Sequence, residues 1–156
     1  MRQFVFALCV CFSATALIAG DIAPRDGWVI IQTGKSHKTL LADLKTAVKA
    51  NGMGVVTQAG PTATAKKRGV VIPENRVVGV FNNKFAVDIL AQSTAAMIEA
   101  PIRFYVTESE TGAATLSYKT PSFVFAPYSD EGGARLTELA AELDLIFNTI
   151  AQTATQ

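Results

Sequence analysis

Short apolar runs alternate along this chain with longer amphipathic stretches, and the period of each predicts its conformation. The segment GWVIIQT (27–33) is brief, apolar and β-branched, which reads as a buried strand. Ser36 then stands where a helix N-cap belongs, ahead of HKTLLADLKTAVKANG. There Leu40, Leu41, Leu44, Ala47 and Val48 recur at helical spacing, Lys38, Asp43, Lys45 and Lys49 take the other face, and Gly52 closes the helix. A second strand is expected over MGVVTQA (53–59). After Gly60-Pro61 comes a short helix, TATAKKR, ended by Gly69; its Lys66, Lys67 and Arg68 either complement the helix dipole or form a small anion-facing patch.

The second half repeats the pattern. RVVGVF (76–81) predicts a third strand, and KFAVDILAQSTAAMIEA predicts one helix running to Pro101, with Phe85, Ile89, Leu90, Met97 and Ile98 as core contacts. IRFYVTE (102–108) and ATLSYKT (113–119) alternate as a hairpin around Thr111-Gly112. An aromatic stretch, PSFVFAPY, follows Thr120. From near Asp130, Leu136, Leu139, Ala140, Leu143, Ile146, Phe147 and Ile150 form one long helical stripe. The order β-α-β-α-β-α-β-β-α predicts an α+β domain, a single sheet of about five strands with helices covering a face. Strand order is not legible at this level.

The N-terminal segment has a different character. Arg2, the apolar run Phe4 to Phe12 and the small residues of SATALIAG before Asp21 have the layout of a signal peptide, which predicts a periplasmic or secreted protein. Cleavage is expected after Gly20, with Ala16 as the other possible site. The apolar stretch is about 16 residues, short of the roughly 20 that span a bilayer, so no stable membrane span is expected after cleavage. Both cysteines, Cys9 and Cys11, leave with it, which removes disulfide and thiolate chemistry from residues 21–156. With Arg2 gone, 13 basic side chains face 13 acidic ones, and one domain of about 136 residues remains. Near-neutral charge argues against nucleic-acid binding.

Catalytic constellations are scarce. His37 is the only histidine and is expected as a solvated residue at a helix start. Without a second histidine or a cysteine, no metal site and no cofactor are expected. No G-x-S-x-G elbow or phosphate-cradling loop occurs, and Glu108 and Glu110 near the hairpin turn read as solvated acids. An enzyme would need Tyr118, Lys84, Asp88 or His37 in one cleft.

Several segments together resemble a known family, domain of unknown function 302: KANGM, TATAKKRGVVIP, VVGVFNN, APIRFYV and ATLSYKTPSF, in this order over about residues 27–150. The resemblance implies a compact α+β domain similar to the fold of the TATA-box-binding protein, without DNA binding, and implies no activity. Three places depart from the family's pattern. Gly60-Pro61 stands where an Asp-His pair is usual, Phe81-Asn82-Asn83-Lys84 where Phe-Gly-Asn-Pro is usual, and Val87-Asp88-Ile89-Leu90 where Gly-Thr-Pro-Leu is usual. Tyr118 and Pro101 are retained.

Two places remain as candidates for binding. In the corner GVFNNKFAVDIL, Asn82 and Asn83 suit a turn with an N-cap. Alternatively Asn83 caps the helix while Asn82 and Lys84, with Asp88, Tyr105 or Tyr118, face a small carboxylated or hydroxylated ligand. Phe123, Phe125 and Tyr128, between Pro121 and Pro127, either pack as a lid on the core or form a partner or homodimer surface. The expected function is a non-enzymatic module that binds a small ligand or a protein partner, with a structural homodimer as the alternative.

Overall fold

A computed structural model describes residues 22–156; the segment expected as a leader, with Cys9, Cys11 and both expected cleavage positions, lies outside the described residues. Five strands, β1 (Trp28–Ser36), β2 (Gly54–Ala59), β3 (Asn75–Phe81), β4 (Ile102–Glu108) and β5 (Ala113–Lys119), form one sheet. Their order is β1-β5-β4-β3-β2, and every neighbouring pair is antiparallel. The β4–β5 hairpin therefore occupies the middle. The first strand reaches it only after the chain has passed through α1 (His37–Ala50) and the β2–β3 pair.

Both ends of α1 follow from local chemistry. Ser36 Oγ accepts from the Thr39 N–H at 3.2 Å, and the chain leaves through Asn51 and Gly52, whose φ of +71° is the left-handed conformation that glycine adopts freely. Leu40, Leu44, Ala47 and Val48 are buried against the sheet and against α5 (Ser129–Thr155). That last helix begins one residue from the expected Asp130 and bends at Gly133, where φ is +60°. Beyond the bend, Leu136, Leu139, Ala140, Leu143, Phe147 and Ile150 are buried as their spacing predicts, with Ile146 partly so. Phe147 stacks on Phe104 of β4 at 4.7 Å between ring centroids, and Tyr118 of β5 tilts against both. All helix-facing residues thus share one core.

The helix expected to run from Lys84 to Pro101 is two pieces. It spans Asn83–Gln92 (α3), turns extended at Ser93, and resumes as a 3₁₀ turn over Ala96–Glu99. Ser93 causes the break: its Oγ accepts from the Ala96 N–H at 2.9 Å and donates to Glu131, so the side chain stabilises a new start instead of a continued helix. The change of phase turns Ile98 outward, 79% exposed, and Leu90 lies on the outer side of α3. Both were expected in the core. Short helices α2 (Thr62–Lys67) and α4 (Pro121–Phe125) complete the chain, and α2 buries no residue. Among the described residues no helix is long and apolar enough to cross a membrane.

Candidate functional site

Side chains alternate across a strand, so every strand that buries one set of residues under the helices turns the other set to the opposite face. Val78, Val80, Phe104, Val106, Leu116 and Tyr118 face the helices. The ladder registers place the remainder in rows. In one row Trp28 pairs with Lys119, and Arg103 pairs with Gly79. Since Phe104 pairs with Tyr118, one further step along the same ladder sets Arg103 opposite Lys119. In the next row Ile30 pairs with Ser117, Ser117 with Tyr105, and Tyr105 with Val77.

Differences in side-chain size turn these rows into a cleft. Ser117 is short and fully buried between Ile30 and Tyr105. The resulting cleft has a volume of about 370 Å³, with Trp28, Val77, Arg103, Tyr105, Ser117 and Lys119 along the sheet. Glu99, Ile102, Tyr118 and Val124 also border it. Trp28 and Tyr105 are half-buried, whereas Arg103 and Lys119 are exposed.

The electrostatics are one-sided. The Arg25 guanidinium lies 5.2 Å from the centre of the Trp28 ring and the Lys119 ammonium 5.8 Å from it. Among the described residues neither Arg103 nor Lys119 has an ion-pair partner. The acid lining the cleft, Glu99, accepts from the Tyr128 hydroxyl at 2.8 Å, a bond that raises the Tyr128 pKa. Burial, followed by the charge of Asp144, pushes the Tyr118 phenol up to about 12. It is neutral in ordinary buffers and serves as part of the core.

The asparagine corner is placed elsewhere. Asn82, not Asn83, caps α3: its Oδ1 accepts from Lys84 N–H at 2.9 Å and from Phe85 N–H at 3.4 Å, while its Nδ2 donates to the Gly52 carbonyl at 2.9 Å. Both ends of the amide are therefore engaged in joining α3 to the loop after α1. Asn83 and Lys84 are exposed on the first turn of α3, and Asp88 lies within electrostatic reach of Arg135 on α5. Tyr105 and Tyr118 line the open-face cleft, which Asn82, Asn83, Lys84 and Asp88 do not. The six residues expected to share a site divide between two places.

The aromatic segment divides as well. Phe125 is buried in the core, Tyr128 is held by Glu99, and Phe123 remains 44% exposed. The Phe123 ring lies so close over Gly27 that a side chain there would collide with it. His37 departs from its expected solvated position: it is buried, and its Nε2 has no hydrogen-bond partner. Desolvation lowers its pKa below 6.5, opposed by the nearby Glu74 and Glu108 carboxylates. It lines a separate open groove with Lys38, Glu74, Arg76 and Glu108, so His37 and Tyr118 share no cleft. Among the described residues no three His, Cys, Asp or Glu side chains converge as metal ligands would.

The sequence model described as Domain of unknown function DUF302 matches residues 29–150. The chain belongs to the DUF302 family. A crystal structure of an uncharacterized conserved protein DUF302 from Bacillus stearothermophilus is similar to it, with a TM-score of 0.74 and 16% identity. That similarity covers 85% of this chain and 100% of the other. At this identity it shows a shared fold alone. No curated protein matches the chain. In this DUF302 domain, three residues of the cleft that sequence reasoning did not single out are Trp28, Arg103 and Lys119. Their signal was present as alternation, because Arg103 and Tyr105 share one parity in IRFYVTE and Ser117 and Lys119 share one in ATLSYKT. Only the strand order brings Trp28 beside them.

Proposed function

We propose that this DUF302 domain is an exported, non-enzymatic binding module that takes a small molecule on the open face of its sheet. The observation that carries this is the cleft itself: two half-buried aromatic rings beside two cations without acid partners among the described residues, in a volume near the lower end of the roughly 300–1,000 Å³ typical of small-molecule sites. Buried aromatic surface supplies affinity in such sites, and a few polar groups fix orientation. A periplasmic or secreted location follows from the leader-like residues 1–20, and the balanced charge favours a small molecule over nucleic acid.

The test is native mass spectrometry on the full chain expressed with its leader, recovered from the periplasm and purified gently. Extra mass that leaves on denaturation, and that is reduced in the Arg103→Ala protein, supports the module. Retention in the cytoplasm with the leader attached contradicts export, and an empty protein from every growth condition contradicts small-molecule capture.

One observation favours a second reading. Ile30, Trp28, Tyr105 and Val77 form a partly apolar sheet face that no helix covers among the described residues, which is the surface a homodimer would bury. Sedimentation velocity separates the two, since a dimer that dissociates on Tyr105→Glu substitution supports the structural role.

A further inference from the structure

We infer that the ligand of the open-face cleft is a flat organic acid, an aryl or conjugated carboxylate whose anionic end lies between Arg103 and Lys119. This rests on the binding-module reading above and specifies its ligand. The first reason is the register. Two cations directly opposite one another on neighbouring antiparallel strands repel, and a sheet normally places an acid between or beside them. Here their row continues into Trp28 on one side and Gly79 on the other, and the next row holds Ile30, Ser117, Tyr105 and Val77. No acid occurs in either row. Glu99 also lines the cleft, but it is bonded to Tyr128 and outside ion-pair distance of both cations. A ligand carboxylate completes the row by accepting from the Arg103 guanidinium and the Lys119 ammonium together.

The second reason is the shape of what lies next to that charge. Tyr105 stands on β4 beside the short, sunken Ser117, and Trp28 stands one row along on β1, beside Lys119. Two half-buried rings lining one cleft favour a thin aromatic or conjugated body, which has a ring face to stack on, over a thick aliphatic one. Lys119 already leans on the Trp28 ring, so its ammonium is placed at the edge of the slot, where the acid end would emerge. A neutral ring would leave the cations unmatched. An aliphatic acid would match them and leave the rings poorly covered.

Trp28 is the only tryptophan of the chain, so its indole N–H gives a single, unambiguous resonance in a ¹⁵N-correlated spectrum. The probe is trans-cinnamate, titrated into the full chain with cinnamyl alcohol and cyclohexanecarboxylate as matched controls. The expected result is a saturable indole shift with trans-cinnamate, weakened about tenfold by Arg103→Ala or Lys119→Ala and partly restored by Arg103→Lys. Higher ionic strength should weaken it further, because both cations are exposed. Equal shifts with cinnamyl alcohol, or no change in the alanine variants, overturn the assignment of an acid. Equal affinity for cyclohexanecarboxylate overturns the flat body. No shift with any of the three overturns the inference while the co-purifying mass still judges the module on its own. Arg103 and Lys119 are exposed, so the variants keep the core intact, and an unchanged circular dichroism melt verifies that for each.

Discussion

Replacing Asn82 by alanine should destabilise the domain while leaving its open face unchanged. The side chain makes three hydrogen bonds that alanine cannot: two accepted from the first turn of α3 and one donated to the Gly52 carbonyl. Loss of an N-cap costs about 1 kcal/mol, within a range of roughly 0.5–2. Loss of the link to Gly52 adds up to about 1 kcal/mol, reduced because water can reach the half-exposed corner. The sum is roughly 0.5–3 kcal/mol. Asn82→Asp retains the acceptor, gains favourable charge at the helix N-terminus and loses the donor, so it should fall between wild type and Asn82→Ala. Asn83→Ala, on an exposed first-turn position, should stay within about 0.5 kcal/mol. Urea unfolding followed by circular dichroism reads this as a lower midpoint at unchanged slope. The reasoning is refuted if Asn82→Ala unfolds at the wild-type midpoint, or if Asn83→Ala costs as much.

Other positions give independent tests. Gly79→Ala would place a methyl against Thr57 Oγ1 and 2.8 Å from Pro101 Cγ, and should cost about 1–3 kcal/mol in the same unfolding assay. Phe147→Ala removes a fully buried ring from the stack with Phe104 and Tyr118, with an expected loss of roughly 3–5 kcal/mol; a change below 1 kcal/mol would contradict the central position given to it. His37, with its pKa lowered in the folded state, makes the unfolded chain bind a proton first as pH falls. The stability contributed by burying neutral His37 is present above about 6.5 and is lost as pH drops through the folded pKa. Urea midpoints measured from about pH 7.5 down to 5 should fall less steeply in His37→Gln than in wild type, and parallel curves would refute the assignment.

The sequence made the helices and the strand segments legible because each has its own hydrophobic period. The stripe from Leu136 to Ile150 and the cap at Ser36 needed no tertiary information. Where a single side chain competes with the period, the reading failed: Ser93 interrupts a pattern that would otherwise carry Ile98 into the core. His37 was misplaced for a related reason, since its burial depends on residues of β3 and β4 that pack against α1 from elsewhere in the chain. The corner at Asn82 was readable as a turn, but which asparagine caps α3 was decided by the reach of its Nδ2 to Gly52, thirty positions earlier. The open-face cleft was the least legible feature. Its chemistry is divided among three strands, and Trp28 meets Lys119 only because β1 joins the sheet beside β5.

The most direct measurement compares the affinity for trans-cinnamate of Asn82→Ala and Arg103→Ala at a temperature where both are fully folded. If the open face binds and the α3 corner only turns the chain, Asn82→Ala binds as wild type does and Arg103→Ala binds about tenfold more weakly. Loss of binding in Asn82→Ala with full retention in Arg103→Ala would contradict it.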